Sequence, residues 1–379
     1  MVKTPCRPIA MHRLRNAVIA LFLIGLFLPA PLFPQGWKEA TIQRQWSFPR
    51  DHGSHPAYRT EWWYFTGNLK GNGARQYGYQ LTFFRNGLAL TPAQPGNVWS
   101  MRDVYLAHFA LTDGSKNAFW FAERVSRAGP GLAAAKETKM GVHVLGWSAA
   151  MEGKRIDLKA SHDRMALALR LAPAKPLVLH GTRGLSRKGP GQQEASYYYS
   201  FTDLVTEGTI QTPEMAAPTA VRGQSWFDQE FGSNQMTADK AGWDWFALHL
   251  SDGRDLMVYY LRRKDGTVEK ESSGTLVERS GASRHLRLAE IETIVLSRWK
   301  SEKSGGRYPA AWRIRIPAVA IDVTIQPLVA DQELVTTAAR PITYWEGAVV
   351  GKGVSQGKDV AVEGYVELTG YAGALGGIF

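Results

Sequence analysis

Asp51-His52-Gly53-Ser54-His55-Pro56, followed closely by Glu61-Trp62-Trp63-Tyr64-Phe65, sets three titratable groups just ahead of an acid and four consecutive aromatics. Aromatic runs of this kind suit the pleated, half-buried surface of a β-strand. Successive strand residues face opposite ways, so Glu61 and Trp63 share one face and Trp62 and Tyr64 the other. The same period of two returns at 77–85, 104–112, 119–125, 164–171, 196–203, 255–262, 312–316 and 320–325. Turns such as Asp113-Gly114, Asp252-Gly253 and Asp265-Gly266 separate many of these runs. Long amphipathic helical patterns are nearly absent. Many short antiparallel strands predict an all-β chain of barrels or sandwiches.

The N-terminus reads differently. Lys3, Arg7, Arg13 and Arg15 precede an apolar run from Ala17 to Leu28, and Pro29, Pro31 and Pro34 follow. A dozen apolar residues fall short of the roughly 20 needed to span a bilayer. Residues 1–36 are therefore expected to be an export signal, with an uncleaved inner-membrane anchor as the alternative. Cys6, the chain's one cysteine, lies within this segment, so the remainder has neither disulfide nor thiol chemistry. Four basic and no acidic residues in 1–36 leave +7 of the chain's +11 on the rest. That excess is spread among acids rather than blocked, which argues against nucleic acid and allows association with an anionic membrane surface.

Two similar halves are indicated by an internal echo. Trp62-x-Tyr64-Phe65-x-x-x-Leu69 matches Trp243-x-Trp245-Phe246-x-x-x-Leu250 in residue type and spacing. The Pro- and Gly-containing stretch 212–223 is the expected junction, giving domains at 37–222 and 223–379.

Carboxyl groups recur beside aromatic rings. Glu61, Asp228, Glu230, Asp244 and Glu346 are candidate acids, and Glu367 lies in a similar tail cluster with Tyr365. A carboxyl group against tryptophan is poorly solvated, which raises its pKa and keeps a proton available near neutrality. Such an acid can protonate a carbon–carbon double bond while ring faces stabilise the cation formed. Structural ion pairing is the competing role for each one. Asp51, His52, His55, Trp62, Trp63, Tyr64, Tyr79, Arg85, His108, Trp243, Trp245, Tyr259, Trp345, Tyr365 and Glu367 are candidate ligand-binding residues. Asp51, His52 and His55 with a distant His108 make only a loose metal pattern, and no metal is expected. No P-loop or dinucleotide fingerprint occurs, so no cofactor is expected.

The string from Phe48-Pro49-Arg50-Asp51-His52 through Glu61-Trp62-Trp63-Tyr64 and Gly67-Asn68-Leu69 resembles the opening of the AttH/CrtC superfamily. Tyr79-Gln80-Leu81-Thr82-Phe83-Phe84-Arg85, Ala107-His108-Phe109-Ala110 and the clusters at Asp228, Trp243, Trp345 and Tyr365 extend the resemblance from about residue 46 to the end. It implies two lipocalin-like (calycin) antiparallel β-barrel domains packed together, with ligand space in or between them. It also brings the label of secreted hydrolase, kinship with carotenoid 1,2-hydratases (hydroxyneurosporene synthases), and pairing with an ABC-type permease. The carotenoid enzymes' His-x-Trp and Tyr-x-Asp pairs fall on Trp243-x-Trp245 and Tyr259-x-Leu261, so that histidine and that acid are absent here. The sequence favours an exported binding or carrier protein for a lipid, isoprenoid or polyketide-like ligand. The alternative is a hydratase, isomerase or hydrolase that uses one buried carboxylic acid.

Overall fold

The computed structural model describes residues 36–375 apart from 95, 98, 99 and 338–341. The expected leader lies outside the described residues except for Gly36. Among them no helix is long and apolar enough to cross a membrane.

The first sheet comprises β1 (Thr60–Lys70), β2 (Gln76–Gly87), β3 (Asp103–Asp113), β4 (Ala118–Arg127), β5 (Ala133–Ala135), β6 (Gly141–Val144), β7 (Trp147–Glu152), β8 (Arg155–His162), β9 (Met165–Pro173), β10 (Val178–Leu179), β11 (Leu185–Arg187), β12 (Ala195–Gln211) and β13 (Thr219–Gly232). Its order is β4-β3-β2-β1-β13-β12-β9-β8-β7-β6-β5, with β10 and β11 added on β12. The second sheet holds β14 (Lys240–Leu250), β15 (Asp255–Arg263), β16 (Ser273–Val277), β17 (Ser283–Arg287), β18 (Glu292–Lys300), β19 (Arg307–Ile316), β20 (Ile321–Pro327), β21 (Glu333–Val335), β22 (Thr343–Ser355) and β23 (Lys358–Leu368). Here the order is β17-β16-β15-β14-β23-β22-β20-β19-β18. Every pairing is antiparallel, and the lipocalin-like sheets curl into one near-closed barrel and one half-barrel.

The expected junction at 222/223 falls inside β13, where Gly223 lies opposite both Leu69 of β1 and Thr206 of β12. A Cβ at Gly223 would collide with the carbonyl oxygen of Asn68. That glycine serves close strand approach, not a linker. The chain passes between the sheets only after Gly232, reaching β14 at Lys240.

Alternation places most of the buried apolar residues in three layers, with a smaller cluster of Tyr58, Tyr197 and Phe231 at the edge. Trp63, Phe65, Leu81, Phe83, Phe109 and Phe227 fill the interior of the first sheet. Phe246, Leu248, Trp312, Trp345 and Val366 fill the second. The opposite faces of the same strands supply a third cluster, with Tyr64, Tyr198, Trp226, Trp245, Tyr259 and Tyr365. At roughly 1.5–3 kcal/mol per large buried side chain, this third layer binds the two sheets firmly to each other. The internal echo has a matching layout: Phe65 and Phe246 point into their own cores, whereas Trp62, Tyr64, Trp243 and Trp245 meet between the sheets.

Candidate active site

The aromatic layer between the sheets encloses free space. A cavity of about 360 Å³ opens among β1–β4, β12 and β13 on one side and β14, β15, β22 and β23 on the other. This is within the range of small-molecule sites. Trp62, Tyr64, Phe84, Tyr198, Trp243, Trp245 and Tyr259 form most of its aromatic wall. Tyr64 meets Trp245 edge-on, with ring centroids 5.1 Å apart. Leu88 and Val125 line the cavity while remaining exposed, so they mark its mouth.

Three acids face this space. Asp228 projects from β13, where it accepts hydrogen bonds from Tyr198 Oη (2.7 Å), Trp226 Nε1 (2.6 Å) and Ser200 Oγ. Burial outweighs those three donors and pushes its pKa up to about 7. Glu367 projects from β23 across the cavity and accepts from Trp243 Nε1 at 2.7 Å. Burial, helped by the charges of Asp228 and Glu230, raises its pKa to about 7 as well. Glu230 instead pairs with Lys188 at 3.0 Å and accepts from Ser196. Lys188 also sits 4.4 Å from the Tyr259 ring centroid. His108 contacts Tyr344 Oη through Nδ1 at 2.7 Å, and burial lowers its pKa to about 4, so it is neutral.

Glu346 is almost fully buried just beyond the cavity wall, directly opposite Glu367 in the β22–β23 register. Burial and the Glu367 charge push its pKa well above the usual carboxylate range. Tyr64 and Tyr344 stand beside it, but neither carboxyl oxygen has a partner in good hydrogen-bond geometry. Tyr365 lies in the same layer.

Other expected site residues lie elsewhere. Glu61 is fully buried on the barrel side, bonded to His55 Nδ1 (2.7 Å), the His55 backbone N–H (2.8 Å) and Gln229 Nε2 (2.9 Å), with Arg85 Nε at 3.4 Å. Burial opposes its charge, yet His55 and Arg85 prevail and hold its pKa low. It is an anion locked in an ion network, not a proton donor. Arg85 also binds Asp103 at 2.8 Å and the carbonyls of His55 and Tyr58. Asp51 is engaged by Arg44, Ser47 N–H and His55, and its carboxyl is held well below the ordinary value. His52 bonds Tyr199, and Trp63 donates to the His52 carbonyl. Tyr79 donates to Ser225 within the barrel, and Trp345 donates to the Ala330 carbonyl in the second core. None of these lines the cavity: Glu61, Trp63, Tyr79, Arg85 and Trp345 belong to strand faces that alternation turns inward, and Asp51, His52 and His55 lie in the segment before β1 that packs on the first barrel's side. Asp244 also faces away, paired with Arg262 (2.9 Å) and accepting from Tyr371 (2.9 Å).

Lys188, Tyr198, Phe84 and Tyr344 complete the site without having been singled out as ligand residues. Strand alternation in Tyr197-Tyr198-Tyr199 separates Tyr198 from its neighbours, but nothing local marks Lys188, which lies in the turn-rich Lys188-Gly189-Pro190. Leu261 lines the cavity beside Tyr259, at the position where the resemblance would put an acid. A Gly-x-Ser-x-Gly spacing does occur, at 353–357, but Ser355 closes the β22 hairpin against Asp252 and Arg254. No described serine lines the cavity. Nor do three described His, Cys, Asp or Glu side chains converge as a metal-binding group.

The AttH-like family model matches residues 39–371. The chain belongs to the AttH-like family. A crystal structure of an AttH from Nitrosomonas europaea is 32% identical, with a TM-score of 0.79 over 88% of this chain and 99% of that one. Kievitone hydratase from Nectria haematococca shares the fold at 17% identity and a TM-score of 0.67, over 89% and 96% of the two chains. CghA bound to Sch210972 shares it more distantly, at 12% identity and a TM-score of 0.51, over 83% and 89%. Comparison with curated proteins returns no match.

Proposed function

We propose that this AttH-like protein is a hydratase-type enzyme, adding water across a carbon–carbon double bond of an apolar unsaturated molecule. One observation carries the reading: Asp228 and Glu367, both raised to about 7, face the same aromatic cavity from opposite sheets, each without a cation bonded to it. Protonated Asp228 gives its proton to one alkene carbon. The π-faces of Tyr64, Trp62 and Trp245 stabilise the cation left on the other. Water attacks that carbon, and its surplus proton passes to the Glu367 carboxylate. Transfer of this proton back to Asp228 restores the starting state. Lys188 and Glu230 remain as a fixed ion pair able to anchor a polar end of the substrate. The fold shared with a hydratase supports this reading over the carrier role that the sequence favoured. A carrier needs the aromatic wall but not the two acids. Hydrolysis through a serine nucleophile has no candidate on the cavity wall. The expected export leader and permease belong to the same proposal, since they would set the enzyme beside apolar envelope molecules.

The pH dependence follows from the two acids. Above pH 7 Asp228 loses the proton it must give, and below pH 7 Glu367 gains one and cannot accept another. The rate profile, as kcat/KM, is expected to be a narrow bell centred near 7, falling more than about tenfold by two pH units either side. Turnover is measured by incubating the protein with an apolar cell extract in H₂¹⁸O and following products heavier by one labelled water. A rate that stays flat from pH 5 to 9, or no labelled product from any extract, rejects the hydratase reading.

A further inference from the structure

A second polar layer lies directly beneath the cavity, between β1 and β2 on one side and β22 and β23 on the other. It contains Tyr64 Oη, Thr66 Oγ1, Gln80 Oε1, both oxygens of Glu346 and Tyr365 Oη, all buried and without a partner in good hydrogen-bond geometry among the described residues, although Tyr64 and Tyr344 stand beside Glu346 and Thr112 beside Tyr365. The register brings them together. Tyr64 and Thr66 alternate along β1, and Thr66 lies opposite Gln80 on β2. Glu346 lies opposite Glu367, two residues from Tyr365, on the facing sheet. Gln80 Nε2 crosses between the sheets to Tyr344 Oη at 3.2 Å. Leaving a buried polar group unpaired costs about 1–3 kcal/mol, and native folds keep few such groups. So many facing one another describe a site built for a small polar guest, and water is satisfied by two to four partners of this kind. Tyr64, Tyr344 and Glu367 border both this layer and the cavity.

We propose that this layer is a water chamber, in which Glu346, Tyr64 and Tyr365 hold the water that attacks the substrate cation. The inference rests on the hydratase reading and names the source of its second substrate. The oxygen–carbon bond forms from chamber water, and the proton that water sheds goes to Glu367, directly opposite Glu346. Other titratable groups around Glu346 are Tyr64 from β1, which also feels Asp228 of β13, Tyr344 on its own strand, Tyr365 from β23, and His108, which reaches it through Tyr344. None of the described ion pairs includes Glu346, so its carboxyl is available to a guest.

Two measurements test this. A high-resolution crystal structure of the full protein is expected to show ordered water bonded to Glu346 and to at least one of Tyr64 and Tyr365. A dry chamber overturns the proposal, even where labelled alcohol is formed. In the second measurement, Glu346→Gln is compared with wild type for the ratio of alcohol to isomerised alkene, both made from the same cation. Losing the chamber's anchor is expected to lower that ratio at least tenfold, because proton loss to Glu367 still yields alkene when water is not delivered. Tyr64→Phe and Tyr365→Phe are expected to shift it the same way by smaller factors. An unchanged ratio, with both products reduced alike, makes Glu346 merely structural and overturns the proposal. Absence of any turnover by the wild type defeats the hydratase reading and the delivery role together, whereas chamber water seen in that case marks the hydratase reading as the failed step.

Discussion

Asp228→Asn is expected to reduce turnover by about 10²- to 10⁴-fold, the contribution typical of a positioned general acid. The amide keeps the shape of the carboxyl group and its contact with Tyr198, so the cavity persists. Affinity for an apolar polyene probe such as retinol, read by its fluorescence, is expected to stay within about threefold of wild type. The same variant is expected to be the more stable protein above neutrality. Asp228's folded pKa of about 7 exceeds its ordinary 3.8. Folding therefore gains from its bound proton below pH 4 and loses that gain as the pH rises through 7. At 1.36 kcal/mol per unit, the deprotonated acid costs up to the order of 4 kcal/mol at pH 8, which the amide avoids. A higher Tm at pH 8 with lost turnover marks an acid kept for chemistry at the expense of stability. Full turnover in the amide variant removes Asp228 from the mechanism, and lost probe binding with lost turnover returns the cavity to a carrier role.

Arg85→Met is expected to do the opposite. It should cost about 3–5 kcal/mol of unfolding free energy in urea, because buried Glu61 and Asp103 both lose the guanidinium between them and keep only His55 and Arg102 as basic partners. Arg85 is fully buried and bridges Glu61, Asp103 and two backbone carbonyls, tying β1, β2 and β3 to the turn at 55–58. Turnover per folded molecule is expected to remain within about twofold, since none of these groups reaches the cavity. A larger fall in turnover at full folding would bring Glu61 back as a functional acid.

These two carboxylates show what the sequence could and could not reveal. Glu61 stands before Trp62 and Trp63, and Asp228 stands two residues after Trp226, so both read as acids beside rings. What separates them is distant in the chain: Arg85 reaches Glu61, while Asp228 receives only neutral donors from Ser200, Tyr198 and Trp226. The faces themselves were readable. Alternation correctly paired Trp62 with Tyr64, and the same rule puts Trp243 with Trp245 and Tyr365 with Glu367. Which face of one sheet would meet which face of the other was not readable, because that depends on packing between separate strands, such as Tyr64 against Trp245 and Tyr198 against Trp245. The resemblance left room for a ligand either in the barrels or between them. Trp63, Phe65 and Phe83 occupy the interior of the first barrel themselves, as side chains do in small barrels.

The shared ownership of the cavity also bears on how relatives diverge. Each sheet contributes one of the two acids, so neither half would carry the proposed reaction by itself. A slight slide or rotation of one half against the other would change the spacing of Asp228 and Glu367 and the room between them while every lining side chain stayed the same. The strand-free link 233–239 is where the chain crosses from one half to the other. Substitutions there and in the inter-sheet layer therefore offer a path to altered substrate preference that loop exchange at the mouth does not provide.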